Sequence, residues 1–477
     1  MKRPARATRT QRIGAKPVGY AKKLVRWETL ARPKRVAEEI KKLRPPVDLD
    51  FKGAKTAYAT HAIHSFSAKF PPQLAAWAIQ EFTSLRETVL DPMVGSGTTL
   101  VEARLLGRNS YAIDIDPLAR LISKVKSTSI DFWTLQSETN RFEVSLGLAF
   151  KELERARRNG AGLEGFRRAI TIPAFPNRDY WFLPEVSEEL ALLKDEILNV
   201  ANPDIRDFLL VVFSSIIITK GKTSVANVMD LAHSRPHYSK PQAKPDTLKL
   251  FIDRLARLKK SMEKFSGDAD PNVFARMIGN DAKRIPLKDE EVDLVFTSPP
   301  YVNAIDYPRA HKFTVFWLGE VFGVQPDEYA ALGKSYIGTE RVDKSECIER
   351  VQRKFDLKLV DKIVKELSVV DVKQAGIAHR YFSEMKRVLS EVGRVLKLGK
   401  FGVIVVGPSN IRGIAVPTHE VIAELGENVA GQGWKLRCEG ILQRRLDRDK
   451  RQLPVIRGPF GSGIQTEYLI LLKKAHS

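Results

Sequence analysis

From Thr88 to Val125 the chain runs TVLDPMVGSGTTLVEARLLGRNSYAIDIDPLARLISKV: an apolar strand, a glycine-containing turn, a helix, a second strand and a second helix. Few folds accept this order, because two parallel strands joined through a helix require that helix to lie across the face of their sheet. The segment predicts the opening βαβ unit of an α/β fold built on a doubly wound, mostly parallel sheet. Before it, FPPQLAAWAIQEF places Leu74, Trp77, Ala78 and Phe82 at helical spacing behind two prolines, which predicts a helix packed on that sheet.

The turn carries the first chemical signal. Gly95 and Gly97 let the backbone approach a ligand closely. A GxG turn alone is weak, since many α/β proteins have one and bind nothing there. Two features strengthen it. Asp114 ends the second strand 23 positions after Asp91, where a carboxylate would hold a ribose diol. The turn also lacks the GxxxxGK[ST] pattern that grips phosphates, so a ligand without a pyrophosphate, such as S-adenosylmethionine, fits it better. Asp116, which stands before Pro117, is expected first as a helix cap.

The second signal is Asp293 to Tyr301, DLVFTSPPY, an apolar strand ending in a double proline. Proline fixes the main chain and removes amide donors, so the carbonyls of Ser298 and Pro299 can act as acceptors. Two acceptors suit an amino group with two hydrogens. Ser298 adds a side-chain acceptor, and Tyr301 offers a flat face for stacking a base taken out of a duplex. The bland alternative is a strand-ending turn with a core tyrosine. Charge bears on the choice: Lys and Arg number 78 against 57 Asp and Glu, a net +21. That is the footprint expected of a protein that neutralises a phosphate backbone, although a basic solvated surface gives the same sum and charge does not separate DNA from RNA.

The stretches FSAKFPPQLAAWAI, VLDPMVGSGTTLVEARLLGRNSYAIDIDP and VFTSPPY resemble the three signature motifs of the amino-group DNA methyltransferases, which act on cytosine N4 or adenine N6. The resemblance implies a Rossmann-like, seven-stranded methyltransferase sheet with a helical insertion. It implies that Phe70, Asp91, Gly95, Gly97 and Asp114 contact S-adenosylmethionine, with Asp281 of GNDAKRIP near the cofactor's adenine. It also implies that Ser298, Pro299, Pro300 and Tyr301 form the catalytic loop. A serine before Pro-Pro-Tyr is commoner in the cytosine enzymes and an aspartate in the adenine enzymes, so TSPPY favours cytosine N4 and leaves adenine N6 as the runner-up. Carbon-5 methylation resembles a Pro-Cys nucleophile loop, and neither Cys347 nor Cys438 follows a proline. No metal enters this reading. The implied partner is double-stranded DNA with a flipped base, and cognate restriction or defence proteins are a further partner class. An RNA amino-group methyltransferase and a binding protein with a vestigial methyltransferase fold stay as alternatives.

The chain divides into a basic arm (1–54), a first methyltransferase part with the cofactor motifs (55–127), a helical insertion (128–275) and a second part with the catalytic motif (276–477), which carries a charged helical insert at about 325–395. The stretch KGKTSVANVMDLAHSRPHYSKPQ in the helical insertion has side chains able to reach phosphates and base edges, so it is a candidate target-recognition region. The charged segment at about 325–375 and the GPFGSG loop near residue 460 compete for that role. Asn303, Asp306 and Tyr307, just past the turn, either line the pocket or cap the next helix. Two distant cysteines offer neither a disulfide framework nor zinc spacing, no apolar run approaches the roughly 20 residues of a membrane span, and the amino terminus lacks a secretory apolar stretch. A cytoplasmic protein is expected, with the basic terminus a phosphate-touching arm rather than an organellar transit peptide.

Overall fold

The computed structural model describes residues 48–67, 69–166, 169–218, 225–227, 244–302, 307–446 and 465–477. Most of the basic arm, most of the KGKTSVANVMDLAHSRPHYSKPQ stretch, Asn303, Asp306 and the GPFGSG loop lie outside the described residues.

Helix α1 (Pro72–Phe82) starts on a proline at its first turn and buries Leu74, Trp77, Ala78 and Phe82, the expected face. Then come β1 (Thr88–Asp91), α2 (Thr98–Leu105), β2 (Asn109–Ile113) and α3 (Pro117–Ser127), in the anticipated order. Asp116 caps α3, its Oδ1 accepting from the amides of Leu118 and Ala119. The chain leaves the sheet for α4 (Phe132–Arg158), α5 (Pro184–Leu198), α6 (Pro203–Ile217) and α7 (Thr247–Asp268). It returns as β3 (Ala275–Gly279) and β4 (Val292–Thr297). A second excursion forms α8 (Tyr307–Trp317), α9 (Lys344–Val351), α10 (Lys358–Val370) and α11 (Val372–Val395) before β5 (Leu396–Val406). A small hairpin, β6 (Ser409–Ile411) and β7 (Ile414–Val416), leads to α12 (Thr418–Glu427), and β8 (Ala430–Gly431), β9 (Trp434–Arg445) and β10 (Thr466–His476) finish the fold.

The main sheet has the order β3-β2-β1-β4-β5-β10-β9-β8. Strands β1 to β5 pair in parallel, whereas β10 runs antiparallel to both β5 and β9, the closing pair expected from GWKLRCEGILQRRL and TEYLILLKK. The Rossmann-like reading therefore holds, with seven strands and the two-residue β8 on their edge. All six residues of β4 are buried, as a central parallel strand covered on both faces requires. On one face α1 packs Leu74, Trp77 and Phe82 against Phe296, Val403 and Leu469. On the other, Val388 and Val392 of α11 meet Val292 and Val295, and Ile422 and Leu425 of α12 meet Ile470 and Leu472.

Helices α4 to α7 do not stand off from the sheet. Phe142, Phe208, Phe251 and Phe265 share one continuous core with Leu118, Ile122 and Val125 of α3 and Trp317 of α8. Each such fully buried side chain contributes about 1.5–3 kcal/mol relative to leaving it in water, so the helical layer is fastened to the helix behind the glycine turn. Among the described residues no helix is long and apolar enough to cross a membrane.

Candidate active site

The strand order reverses between β1 and β4, where Val89 lies opposite Leu294 and Leu90 opposite Val295. In an open α/β sheet the crevice outside the carboxyl ends at such a switch point is where ligands bind. Here it is a cleft of about 540 Å³, inside the roughly 300–1,000 Å³ typical of small-molecule sites.

Asp91 ends β1 and is buried beneath this cleft. Its Oδ2 accepts from Thr99 Oγ1 at 2.6 Å, and its Oδ1 accepts from Thr297 Oγ1 at 2.7 Å and from the Met93 amide at 3.2 Å. One carboxylate thus ties the glycine turn, α2 and the end of β4 together. Burial pushes its pKa up to about 6, although the two threonine hydroxyls favour the charged form. The turn packs closely. Gly97 has φ 80°, and a Cβ on it would lie 2.8 Å from Ser123 Cα in α3. Gly95, at φ 51°, donates its amide to Asp114 Oδ2 at 2.7 Å and accepts from Ser123 Oγ at 2.8 Å.

Asp114 lines the cleft from the end of β2, and its Oδ1 accepts from the Asp116 amide at 2.9 Å. Burial, and then the neighbouring Asp116 charge, push its pKa up to about 7. Burial would raise Asp116 too, but His311 Nδ1 at 2.6 Å from its Oδ2, with the capping amides, holds it below the usual carboxylate range.

The structure brings Phe70, Gly95, Asp114, Asp281, Ser298 and Pro300 to the walls of one cleft. Phe70 stands edge-on to Phe296 at 5.3 Å. Asp281 Oδ1 accepts from the Lys283 amide at 2.9 Å. Ser298 Oγ donates to the Val405 carbonyl at 3.1 Å, across the β4–β5 boundary. Asp91, Gly97, Pro299 and Tyr301 are not among the lining residues: the first two support the turn from below. Tyr301 donates its hydroxyl to Glu467 Oε1 at 2.8 Å, and Glu467 pairs with the buried Arg444, which donates to the Leu49 carbonyl at 3.0 Å. Burial, then the Glu467 charge, raise the Tyr301 hydroxyl well above its ordinary pKa, so it stays protonated.

Sequence reasoning missed several wall residues. Phe66 stacks on Tyr307 at 5.8 Å, and the loop from Ser335 to Arg341 closes the far side of the cleft. Tyr307 thus both lines the pocket and begins α8. Behind α2, Glu102 accepts from Tyr58 at 2.6 Å and lies 2.7 Å from His61 Nε2, and burial raises its pKa to about 8. Tyr58 and His61 stand about forty positions before Glu102, so no local pattern announces this network.

A family model described as DNA methylase, of the N6/N4 methyltransferases, matches residues 23–124. The chain is 26% identical over 399 residues to the type II methyltransferase M.MvaI of Kocuria varians, covering 79% of this chain and 83% of that protein. It is 22% identical over 373 residues to the type II methyltransferase M.MjaII of Methanocaldococcus jannaschii, covering 61% and 67%. It is 25% identical over 293 residues to the type II methyltransferase M.BsoBI of Geobacillus stearothermophilus, covering 55% and 54%. With a glycine turn and a buried acid at one strand end and a Ser-Pro-Pro turn at the next, the chain is similar to the amino-group DNA methyltransferases, through the family model over residues 23–124 and through these type II relatives.

Proposed function

We propose that the chain transfers a methyl group from S-adenosylmethionine to the exocyclic amino nitrogen of a flipped base in a specific sequence of double-stranded DNA, with cytosine N4 ahead of adenine N6. One observation carries this reading: Gly95 and Asp114 share a cleft with Ser298 and Pro300, although the two pairs are some two hundred positions apart in the chain. The cleft's donor set fits the cofactor, since Asp114 offers a carboxylate for a ribose diol, Phe70 an apolar wall and Asp281 a polar rim. When bound, S-adenosylmethionine supplies a sulfonium methyl, an electrophile that needs no activation by the protein.

The protein's own task is to present the amino nitrogen. Ser298 gives its hydroxyl hydrogen to the Val405 carbonyl, which leaves its lone pairs free to accept an amino hydrogen. The Pro299 carbonyl is assigned as the second acceptor. Together they fix both amino hydrogens, turn the nitrogen lone pair into the cleft and disperse the charge that develops on nitrogen. Tyr301, part-exposed and fixed through its hydroxyl on Glu467, is assigned the stacking face for the base. The serine at position 298 supports cytosine, and likeness to type II methyltransferases supports a restriction–modification setting. The helical segment 128–275 is assigned to target recognition.

Ser298→Ala tests the acceptor role. Methyl transfer from tritiated cofactor to DNA falls about 100-fold or more, while cofactor affinity by calorimetry stays within about twofold, because Ser298 is not one of the groups that hold a nucleoside. Unchanged transfer sinks the assignment.

A further inference from the structure

Beside the cofactor cleft lies a second one of about 370 Å³, between the end of α9 and the exposed side of α11. Arg350, Arg353, Lys354 and Arg387 line it, against one carboxylate, Glu384. That carboxylate is drawn away, its Oε1 lying 3.3 Å from Arg380 Nε and 3.9 Å from Lys283 Nζ. Arg350 and Arg353 have partners on their own helix turn, Glu346 at 2.8 Å and Glu349 at 3.8 Å. Lys354 and Arg387 are exposed and form no ion pair among the described residues. The floor is cross-linked: the His379 ring packs tilted against Phe355 at 4.5 Å, its Nε2 donates to the Arg353 carbonyl at 3.1 Å, and Ser383 Oγ donates to the His379 carbonyl at 3.0 Å.

The placement of this cleft gives it a partner. Lys283, whose side chain reaches Glu384, is also a wall of the cofactor cleft. The loop that closes the cofactor cleft, ending at Arg341, runs directly into α9. The two clefts are thus neighbours, joined through the Lys283–Glu384 contact. Glu384 Oε2 has no hydrogen-bond partner among the described residues, yet four cations against this one carboxylate leave the cleft net positive, which is what backbone contact requires, and such contacts carry no base information.

Resting on the reading that the first cleft acts on DNA, we propose that the Arg350–Arg353–Lys354–Arg387 cleft binds the DNA phosphate backbone next to the flipped base. It sets affinity and register, not sequence choice. The test uses the full chain and a duplex followed by fluorescence anisotropy at rising salt. For Lys354→Ala with Arg387→Ala, the slope of log affinity against log salt falls by nearly 2, since each lost phosphate contact removes about 0.9. The loss is equal on specific and unrelated duplexes, and cofactor affinity is unchanged. Lys354→Arg with Arg387→Lys keeps the slope. An unchanged slope in the alanine pair, or a loss confined to one sequence, overturns the proposal. Failure of the methyltransferase reading looks different: the native chain binds DNA with its full slope and transfers no methyl group.

Discussion

At the scale of single residues, the cleft rests on carboxylates that burial makes reluctant to ionise. Asp114 has its pKa pushed up to about 7 from the ordinary 3.8. Its folded form holds a proton more tightly than the unfolded chain does. The stability that follows is complete below pH 3.8 and is lost as pH rises through about 7. On the proposed role of Asp114 at the ribose, cofactor binding has the opposite sign, because the hydroxyls need the ionised acceptor. Affinity for S-adenosylmethionine, measured by calorimetry, therefore rises through pH 7. In Asp114→Asn that dependence disappears, and affinity at pH 8 drops by about ten- to a hundredfold, the equivalent of a hydrogen bond to a charged group of about 1.5–3 kcal/mol. An unchanged pH profile in the variant would remove Asp114 from the ribose. Asp114 was legible in the sequence because it ends a strand beside a glycine turn. The downward position of Asp91 was not, since its threonine partner on β4 is 206 positions away. Nor was the hydroxyl partner of Tyr301, which comes from β10.

Elements whose main chain is dictated locally were legible, and those that depend on distant packing were not. The glycine turn and the double proline fix φ within a few residues, so β1, α2 and the end of β4 stood out. β3, with sequence ARMIG and only partial burial, carries no clear period and was missed. α6, with its run FLLVVFSSII, is apolar all round, a pattern that fits a buried strand as well as a buried helix; Asn202 as cap and Pro203 at the first turn decide for the helix. Gly97→Ala tests the turn. A side chain there meets Ser123 Cα at 2.8 Å in a left-handed conformation, and strain of about 1–3 kcal/mol is expected before the clash is added. Thermal unfolding should shift down accordingly, and cofactor binding should weaken as α2 and α3 part. A native-like melting point in this variant would mean that the turn is not packed on α3 as described.

The whole molecule unites a parallel sheet with a helical layer through one core. The sequence reads as a helical insertion at 128–275, because long amphipathic helices interrupt the strand pattern. Its attachment depends on Phe142, Phe251 and Phe265 meeting Leu118 and Ile122, and no local pattern announces that contact. If the core is continuous, Phe251→Ala costs about 3–5 kcal/mol. Calorimetry should then show a single transition moving down as a whole, with bound cofactor still raising it. Two transitions, with the cofactor-sensitive one unmoved, would mean that the layers fold independently.

The proposed methylation of an amino group in DNA is tested most directly by the identity of the labelled nucleoside. Native protein is incubated with tritiated S-adenosylmethionine and either unmethylated DNA or total RNA, and each nucleic acid is digested to nucleosides. Label in N4-methylcytosine from DNA is the predicted result, and label in N6-methyladenine keeps the acceptor mechanism while reassigning the base. Label in RNA alone, or in neither nucleic acid, contradicts the proposed function.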